Sequence, residues 1–425
     1  MPTSAYLYPW DLDGDPAAAD RIAGLGVGEV SLAAAYHAVR AVTPFHPGHR
    51  VVTRDAAVYY RPEPGLWRGS PLRPAVPEPA ASGSFERAAD ALHAAGLRVN
   101  AWLVLAHNDR LGAAHPDCAV RNAYGDPYPW ALCIGSPQVA EYAAALSAEV
   151  AALGCVDGIE LEACGWYGFD HGSMHDKTGG CPPGGAPGWL LDACFCRACT
   201  DAFRDAGAGP AELAREVRAA LDAGYRGEFP VPDGDAGAGS SAPEDPVPPV
   251  PVPQDLADVL AKVRAAIAGE FLYRVLAAVR AAAPGQDVLV HSHPDPRQAG
   301  ANPGFDPAVL LGHGGADGII LACPGPAAQS AALVTRSARA ARAALDAPAA
   351  PRIAATLTAV TALGSRTADL PGQAAAVLAA GATDLRLYHA GLASAADHDA
   401  MRSVAGAAAM KAAGRRSATT LSQRA

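Results

Sequence analysis

Gly154-Cys-Val-Asp157-Gly-Ile-Glu160-Leu-Glu162 reads as a turn feeding a short strand. Ile159 and Leu161 alternate with Glu160 and Glu162, and alternate residues of a strand face opposite sides. The turn is echoed three times, in Gly26-Val-Gly-Glu-Val-Ser-Leu32, Gly315-Ala-Asp-Gly-Ile-Ile-Leu321 and Gly381-Ala-Thr-Asp-Leu-Arg-Leu387. Four strand-like runs without it, beginning near Ala5, Arg98, Asp287 and Arg352, interleave with the strands near Gly28, Val156, Asp317 and Thr383. Alanine-rich helical stretches separate the eight. Strands alternating with helices imply parallel βαβ units, and eight of them close an α/β fold of the (β/α)8 TIM-barrel type. The echo on alternate strands implies quarter-barrel units; an open doubly wound sheet is the structural alternative. No Gly-x-Gly-x-x-Gly loop opens a helix and no phosphate loop occurs, so a nucleotide-binding sheet lacks its main support.

The chain has 425 residues, half of them apolar, which is enough to bury one large barrel core over residues 1–412. Its longest apolar runs fall short of the roughly 20 residues a membrane helix needs. Met1–Trp10 has no basic stretch followed by a long apolar one, so it reads as a strand rather than a signal peptide. The expected location is the cytoplasm. Net charge is −10, with Lys and Arg scattered rather than striped, which argues against nucleic acid as a partner. Residues 227–254, rich in Pro and Gly, read as a disordered insertion, and 413–425 as a disordered tail. The loop from His37 to about Ser84 is too long for a simple connector, and long βα loops at the C-terminal face of a barrel build active sites.

Strand register sorts the polar residues. The outward face of a barrel strand packs on helices and is apolar, so Glu160 and Glu162 point inward. The repeat puts Ser31, Ile320 and Arg386 level with Glu160, and Ala33, Ala322 and Tyr388 level with Glu162. Glu160 is then the buried ion-pair partner of Arg386. Glu162, one step nearer the mouth and within reach of the Tyr388 hydroxyl, is the candidate general acid, base or nucleophile. Other strands end in Trp10-Asp11, His107-Asn108-Asp109 and His291-Ser-His293-Pro-Asp295, converging on the same face. Candidate substrate contacts are Trp10, Asp11, His37, His107, Trp166, His171, His175, His293, Arg386 and Tyr388. Each, taken singly, is equally readable as a cap or a core residue.

Nine cysteines in a long chain fit reduced thiols or a metal better than a disulfide framework. Cys194, Cys196 and Cys199 can take three corners of a tetrahedral structural zinc site, with Cys181 as the fourth ligand. Free structural thiols are the alternative. Cys133 and Cys155 read as core residues.

Asn122-Ala-Tyr-Gly-Asp126-Pro-Tyr-Pro-Trp-Ala-Leu-Cys133, the Asp157–Glu162 strand, the His171–Lys177 loop and the Cys-Phe-Cys-x-x-Cys cluster resemble a bacterial group of (β/α)8-barrel glycoside hydrolases. The cluster is also similar to the zinc site following strand four in some beta-galactosidase barrels. The resemblance implies a carbohydrate substrate and a catalytic Glu162, the strand-four carboxylate of such barrels. Two departures stand out. Leu161 replaces the Asn that precedes the strand-four acid in the large retaining clan, and strand seven, Ile353–Val360, carries no carboxylate. Asp295 and Asp109 are then the candidates for the second carboxylate that glycoside hydrolysis requires. Two other readings stay open: a lyase, aldolase or isomerase using Glu162 with His107, His293 or a metal, and a non-catalytic carbohydrate-binding barrel.

Overall fold

A computed structural model describes residues 2–77, 83–169, 177, 185–228, 252–312, 315–344 and 351–422. Eight parallel strands carry the fold: β1 (Thr3–Leu7), β2 (Glu29–Tyr36), β3 (Arg98–Val104), β4 (Gly158–Glu162), β5 (Asp287–His291), β6 (Gly318–Ala322), β7 (Arg352–Thr358) and β8 (Asp384–Tyr388). Each pairs with its neighbours in chain order, and β1 pairs with both β2 and β8, so the sheet closes. The open-sheet alternative is excluded. Helices follow the strands on the outside, and a short antiparallel strand, Ala57–Val58, adds to β2 at the mouth.

The quarter-barrel repeat has a physical basis in the hydrogen bonding. Gly28, Asp157, Asp317 and Thr383, one at each repeat turn, donate their backbone N–H to the carbonyls of Thr3, Val99, Val288 and Ile353 at the start of the preceding strand. In three repeats the side chain returns the bond. Asp157 accepts the N–H of Val99 (2.8 Å), Asp317 that of Val288 (2.7 Å) and Thr383 that of Ile353 (2.9 Å). The repeat is therefore a clamp that fixes the register of each odd–even strand pair and satisfies backbone groups at the barrel bottom. At Gly158 a Cβ would fall 2.5 Å from Asn100 Oδ1, so a larger residue there would displace the Asn100 side chain.

The barrel interior is divided. Leu289, Ile320 and Ala354 from β5, β6 and β7 form an apolar patch. Beside and below it lies an ionic network. Arg386 Nη2 stands 3.1 Å from Glu160 Oε1 and Arg386 Nη1 3.2 Å from Glu29 Oε2. Ser31 donates to Glu160 at 2.9 Å. Below them Arg352 pairs with Asp384 (2.7 Å) and Asp287 (2.9 Å). The expected Glu160–Arg386 level is thus present. Burial pushes the Glu160 carboxyl above its ordinary range, with Arg386 and Ser31 pulling the other way.

Two boundaries differ from expectation. Helix Gln254–Ala282 begins inside the expected insertion, of which residues 229–251 lie outside the described residues. The final helix, Ala395–Ser422, runs past residue 412. The long loop after β2 is ordered by a buried carboxylate on helix Pro137–Ala151. Glu149 accepts bonds from the Tyr60 hydroxyl (2.5 Å), Trp67 Nε1 (2.9 Å) and the Glu63 backbone (2.5 Å).

Replacing Arg386 by Met leaves the buried Glu160 without its ion-pair partner, while Glu29 keeps Arg352 at 3.7 Å, and urea denaturation near pH 8 should show a loss of about 3–5 kcal/mol. The loss should shrink as pH falls, because a protonated Glu160 needs no cation, and Glu160→Gln in the Arg386→Met background should restore part of it.

Candidate active site

Glu162 is the last residue of β4, directly above Glu160 on the inward face, and only 9% exposed. Its Oε2 accepts a 2.6 Å hydrogen bond from Trp102 Nε1 on β3, and His291 Nδ1 at the end of β5 lies 3.8 Å from the same oxygen. Burial, reinforced by the negative charge of Glu160, outweighs the Trp102 bond and pushes the Glu162 carboxyl up to about 8. The residue after it, Ala163, has φ +50°, a left-handed conformation that costs a non-glycine residue energy. Backbone strain sits beside the Glu162 carboxylate.

Around Glu162 the inward residues of other strands form an aromatic collar. Tyr6 (β1) lies edge-on to Trp102 at 4.8 Å between centroids and to Tyr388 (β8) at 5.4 Å. Tyr388 shares a 3.4 Å hydroxyl contact with Tyr36 (β2). The hydrogen bond to Glu162 expected from Tyr388 therefore comes from Trp102, which the register analysis missed because it followed only the even strands. Alternation along Arg98–Val104 would have found it. His389 stacks on Tyr8 at 4.3 Å with both ring nitrogens buried and without hydrogen bonds among the described residues. Desolvation lowers its imidazole to about 3, so the ring is neutral.

The other sequence candidates divide. His37 stacks on His107 at 4.1 Å, and His107 Nδ1 meets the Tyr167 hydroxyl at 2.6 Å, forming one ring wall from the loops after β2, β3 and β4. Trp10 stacks on Tyr8 (4.3 Å) and keeps a buried, unbonded Nε1. Asp11 accepts the Tyr8 N–H at 2.8 Å and packs so closely on Gly391 that no Cβ fits there, and burial pushes it up to about 7. Trp166 donates to the Arg264 carbonyl at 2.9 Å, with the Arg264 guanidinium 5.0 Å over its ring, so it is engaged by helix Gln254–Ala282. Arg386 has no exposure and is committed to its ion pairs, which gives it a structural place below the mouth rather than a contact with substrate. His293 accepts the Asp295 N–H at 3.0 Å. Both Asp295 oxygens face Arg297, at 3.3 and 3.4 Å. Asp109 opens helix Asp109–Ala114 and has a buried Oδ1 without a hydrogen bond among the described residues. His171 and His175 lie outside the described residues.

The thiol cluster is a quartet, with one correction. Cys133, Cys194, Cys196 and Cys199 bring their sulfurs within 4.8 Å of one another, so among the described residues the fourth thiol is Cys133, expected as a core residue, while Cys181 lies outside the described residues. Cys133 Sγ is 3.5–3.6 Å from the other three. The hairpin Ala119–Arg121/Pro127–Leu132 delivers it. Asn122 organises the turn by accepting the N–H groups of Tyr124 and Asp126, both at 3.0 Å. The Asn122–Asp126 motif is thus turn chemistry, and four thiols in this arrangement can bind a metal ion.

At the level of sequence, no family model and no curated protein matches the chain. Solved structures do match its fold. The glycoside hydrolase domain of PgaB (BpsB) from Bordetella bronchiseptica is similar at 17% identity and TM-score 0.57, over 95% of this chain and 98% of that one. Alpha-L-fucosidase isoenzyme 2 from Paenibacillus thiaminolyticus is similar at 14% identity and TM-score 0.56, over 97% and 50%. The beta-galactosidase from Marinomonas ef1 gives 12% and 0.56, over 96% and 59%. The chain thus spans about half to three-fifths of the two larger enzymes. At these identities the likeness establishes the barrel fold.

Because the folded Glu162 holds its proton more tightly than the ordinary carboxyl at 4.5, its contribution to stability is complete below pH 4.5 and falls until about pH 8. Relative to Glu162→Gln, the wild-type protein should lose roughly 3–5 kcal/mol across that window in denaturation series at stepped pH.

Proposed function

We propose that the chain is a glycoside hydrolase acting on small glycosides or oligosaccharides, with Glu162 as the proton donor. The observation that carries this reading is a buried carboxyl at the end of β4, held protonated near neutral pH and fixed by Trp102. Trp102 makes Oε2 an acceptor, which leaves Oε1 to carry the proton. A general acid with its pKa near the working pH is what protonation of a glycosidic oxygen calls for. The aromatic collar suits the faces of a sugar ring, with His37 and His107 at its edge. That the fold neighbours are hydrolases of glycosidic bonds supports the reading at the level of architecture.

For the second carboxylate we favour Asp109. It stands in the loop after β3, which runs beside the loop after β4 through the bonds of Leu105 to Glu162 and Ala106 to Ala163, each 3.0 Å. Its buried free oxygen is available to a water, whereas Asp295 is occupied by Arg297. We also infer that the thiol quartet holds a structural zinc. Four thiolates at about 2.3 Å from zinc lie about 3.8 Å apart in a tetrahedron, close to the separations around Cys133. With four thiolates the shell is closed, so the ion would tie the loops after β3 and β4 together and take no part in hydrolysis. The reduced thiols this needs agree with a cytoplasmic location. Among the described residues, no helix is long and apolar enough to cross a membrane.

A panel of aryl glycosides, including α-L-fucosides and β-galactosides, should reveal turnover that falls about 10²–10⁴-fold in Glu162→Gln. Asp109→Asn should fall comparably and Asp295→Asn little. Turnover retained in full by Glu162→Gln contradicts the assignment, and sugar binding without turnover favours a carbohydrate-binding barrel. Elemental analysis of the purified protein should find one zinc per chain, lost in Cys133→Ser and kept in Cys181→Ser.

A further inference from the structure

Glu162 shares its upper level of the barrel with a line of polar groups that crosses four strands. Thr356 Oγ1 on β7 is 3.5 Å from the Tyr6 hydroxyl on β1, and that hydroxyl is 3.4 Å from His291 Nε2 on β5. The other ring nitrogen, Nδ1, faces Glu162 Oε2 at 3.8 Å. We propose that Thr356 and Tyr6 lock His291 as the tautomer protonated on Nδ1, making His291 and Tyr6 positioning residues that receive the Glu162 carboxylate once it has given up its proton. This rests on Glu162 acting as proton donor.

The assignment follows from counting protons and lone pairs. Tyr6 is fully buried, and its phenol is pushed well above its ordinary range by desolvation, so it keeps its hydrogen. His291 is held down to about 3 by desolvation and by the Arg386 charge, so its ring is neutral and carries one proton. One nitrogen donates and the other accepts. Taking Thr356 as the donor to the Tyr6 oxygen, the direction in which it pulls the phenol down, the Tyr6 hydrogen points at Nε2 and the ring proton falls on Nδ1. Glu162 agrees: with its proton on Oε1, Oε2 accepts from Trp102 and an unprotonated Nδ1 would set lone pair against lone pair.

The remaining groups about this pair do not fix the tautomer. Glu160, Tyr36 and Tyr388 act on Glu162 without donating to Oε2, and Asn302 favours a protonated nitrogen on the His291 ring. At 3.8 Å the Nδ1–Oε2 contact is loose while Glu162 holds its proton. Closing it to about 2.9 Å when the carboxylate forms would supply the charge-assisted bond that the protonated state lacks.

The test is the nitrogen NMR of full-length protein labelled at histidine, with His291 assigned by comparison with His291→Gln. At pH 6–7 the expected His291 signals are a protonated Nδ1 and an unprotonated Nε2, with the pattern shifting toward protonated Nε2 in Tyr6→Phe. In carbon-labelled glutamate spectra, His291→Leu should raise the Glu162 titration by about one pH unit, and His291→Gln, which keeps a donor, should raise it less. A protonated Nε2 in the wild-type protein overturns the proposal, as does a Tyr6→Phe spectrum with His291 unchanged. If Tyr6→Phe does not fold, the wild-type spectrum decides alone. None of these readouts uses a substrate. A protein that hydrolyses glycosides with Nε2 protonated sinks the tautomer and leaves the glycosidase reading standing, and an inactive protein with Nδ1 protonated does the reverse.

Discussion

A guanidinium with no exposure to solvent has to be neutralised by whatever surrounds it, and Arg386 imposes that demand on the whole interior of this barrel. Glu160 and Glu29 answer it from β4 and β2, Ser31 steadies Glu160, and Arg352 repeats the arrangement one level lower with Asp384 and Asp287. The apolar patch on β5, β6 and β7 lies beside them. Ions and hydrocarbon thus share the interior, with Glu160 beside Leu289 in register and the Arg352 pairs one step below the patch. The arrangement reaches the mouth as well. Glu162 is the next inward residue above Glu160, and the negative charge below it adds to desolvation in keeping its proton on. The network that fixes the interior also tunes the acid above it.

Much of this was legible in the sequence, and the limits are physical. All eight strands could be placed because a Gly turn before an alternating strand is a local pattern. The level shared by Glu160 and Arg386 was legible too, since strand register carries over from repeat to repeat. What the turn does was not, because the clamp of Asp157 on Val99 joins residues 58 positions apart. Trp102 escaped because its strand lacks the turn that anchored the register. Cys133 escaped for a different reason. It sits 61 residues before Cys194 and reads as a core residue, and only the pairing of its hairpin brings it to the other thiols. Arg386 was read both as an ion-pair partner and as a substrate contact, and burial leaves room only for the first.

Function and fold meet in the loops after β3 and β4. They run side by side and hold Asp109 and the His107–Tyr167 contact. Beyond their mouth the thiol quartet joins Cys133 of one to Cys194–Cys199 of the other. An ion there would brace the two loops that border Glu162. Glu149 braces the loop after β2 by the same logic, one buried carboxylate gathering three donors. The mouth is therefore built on fixed supports.

The central claim is that Glu162 carries a proton at neutral pH. Carbon-detected NMR of glutamate-labelled protein, with Glu162 assigned by its disappearance in Glu162→Gln, measures this directly. The structure predicts a carboxyl still protonated at pH 6.5 and titrating near 8. A Glu162 signal that titrates near the ordinary 4.5 would contradict it.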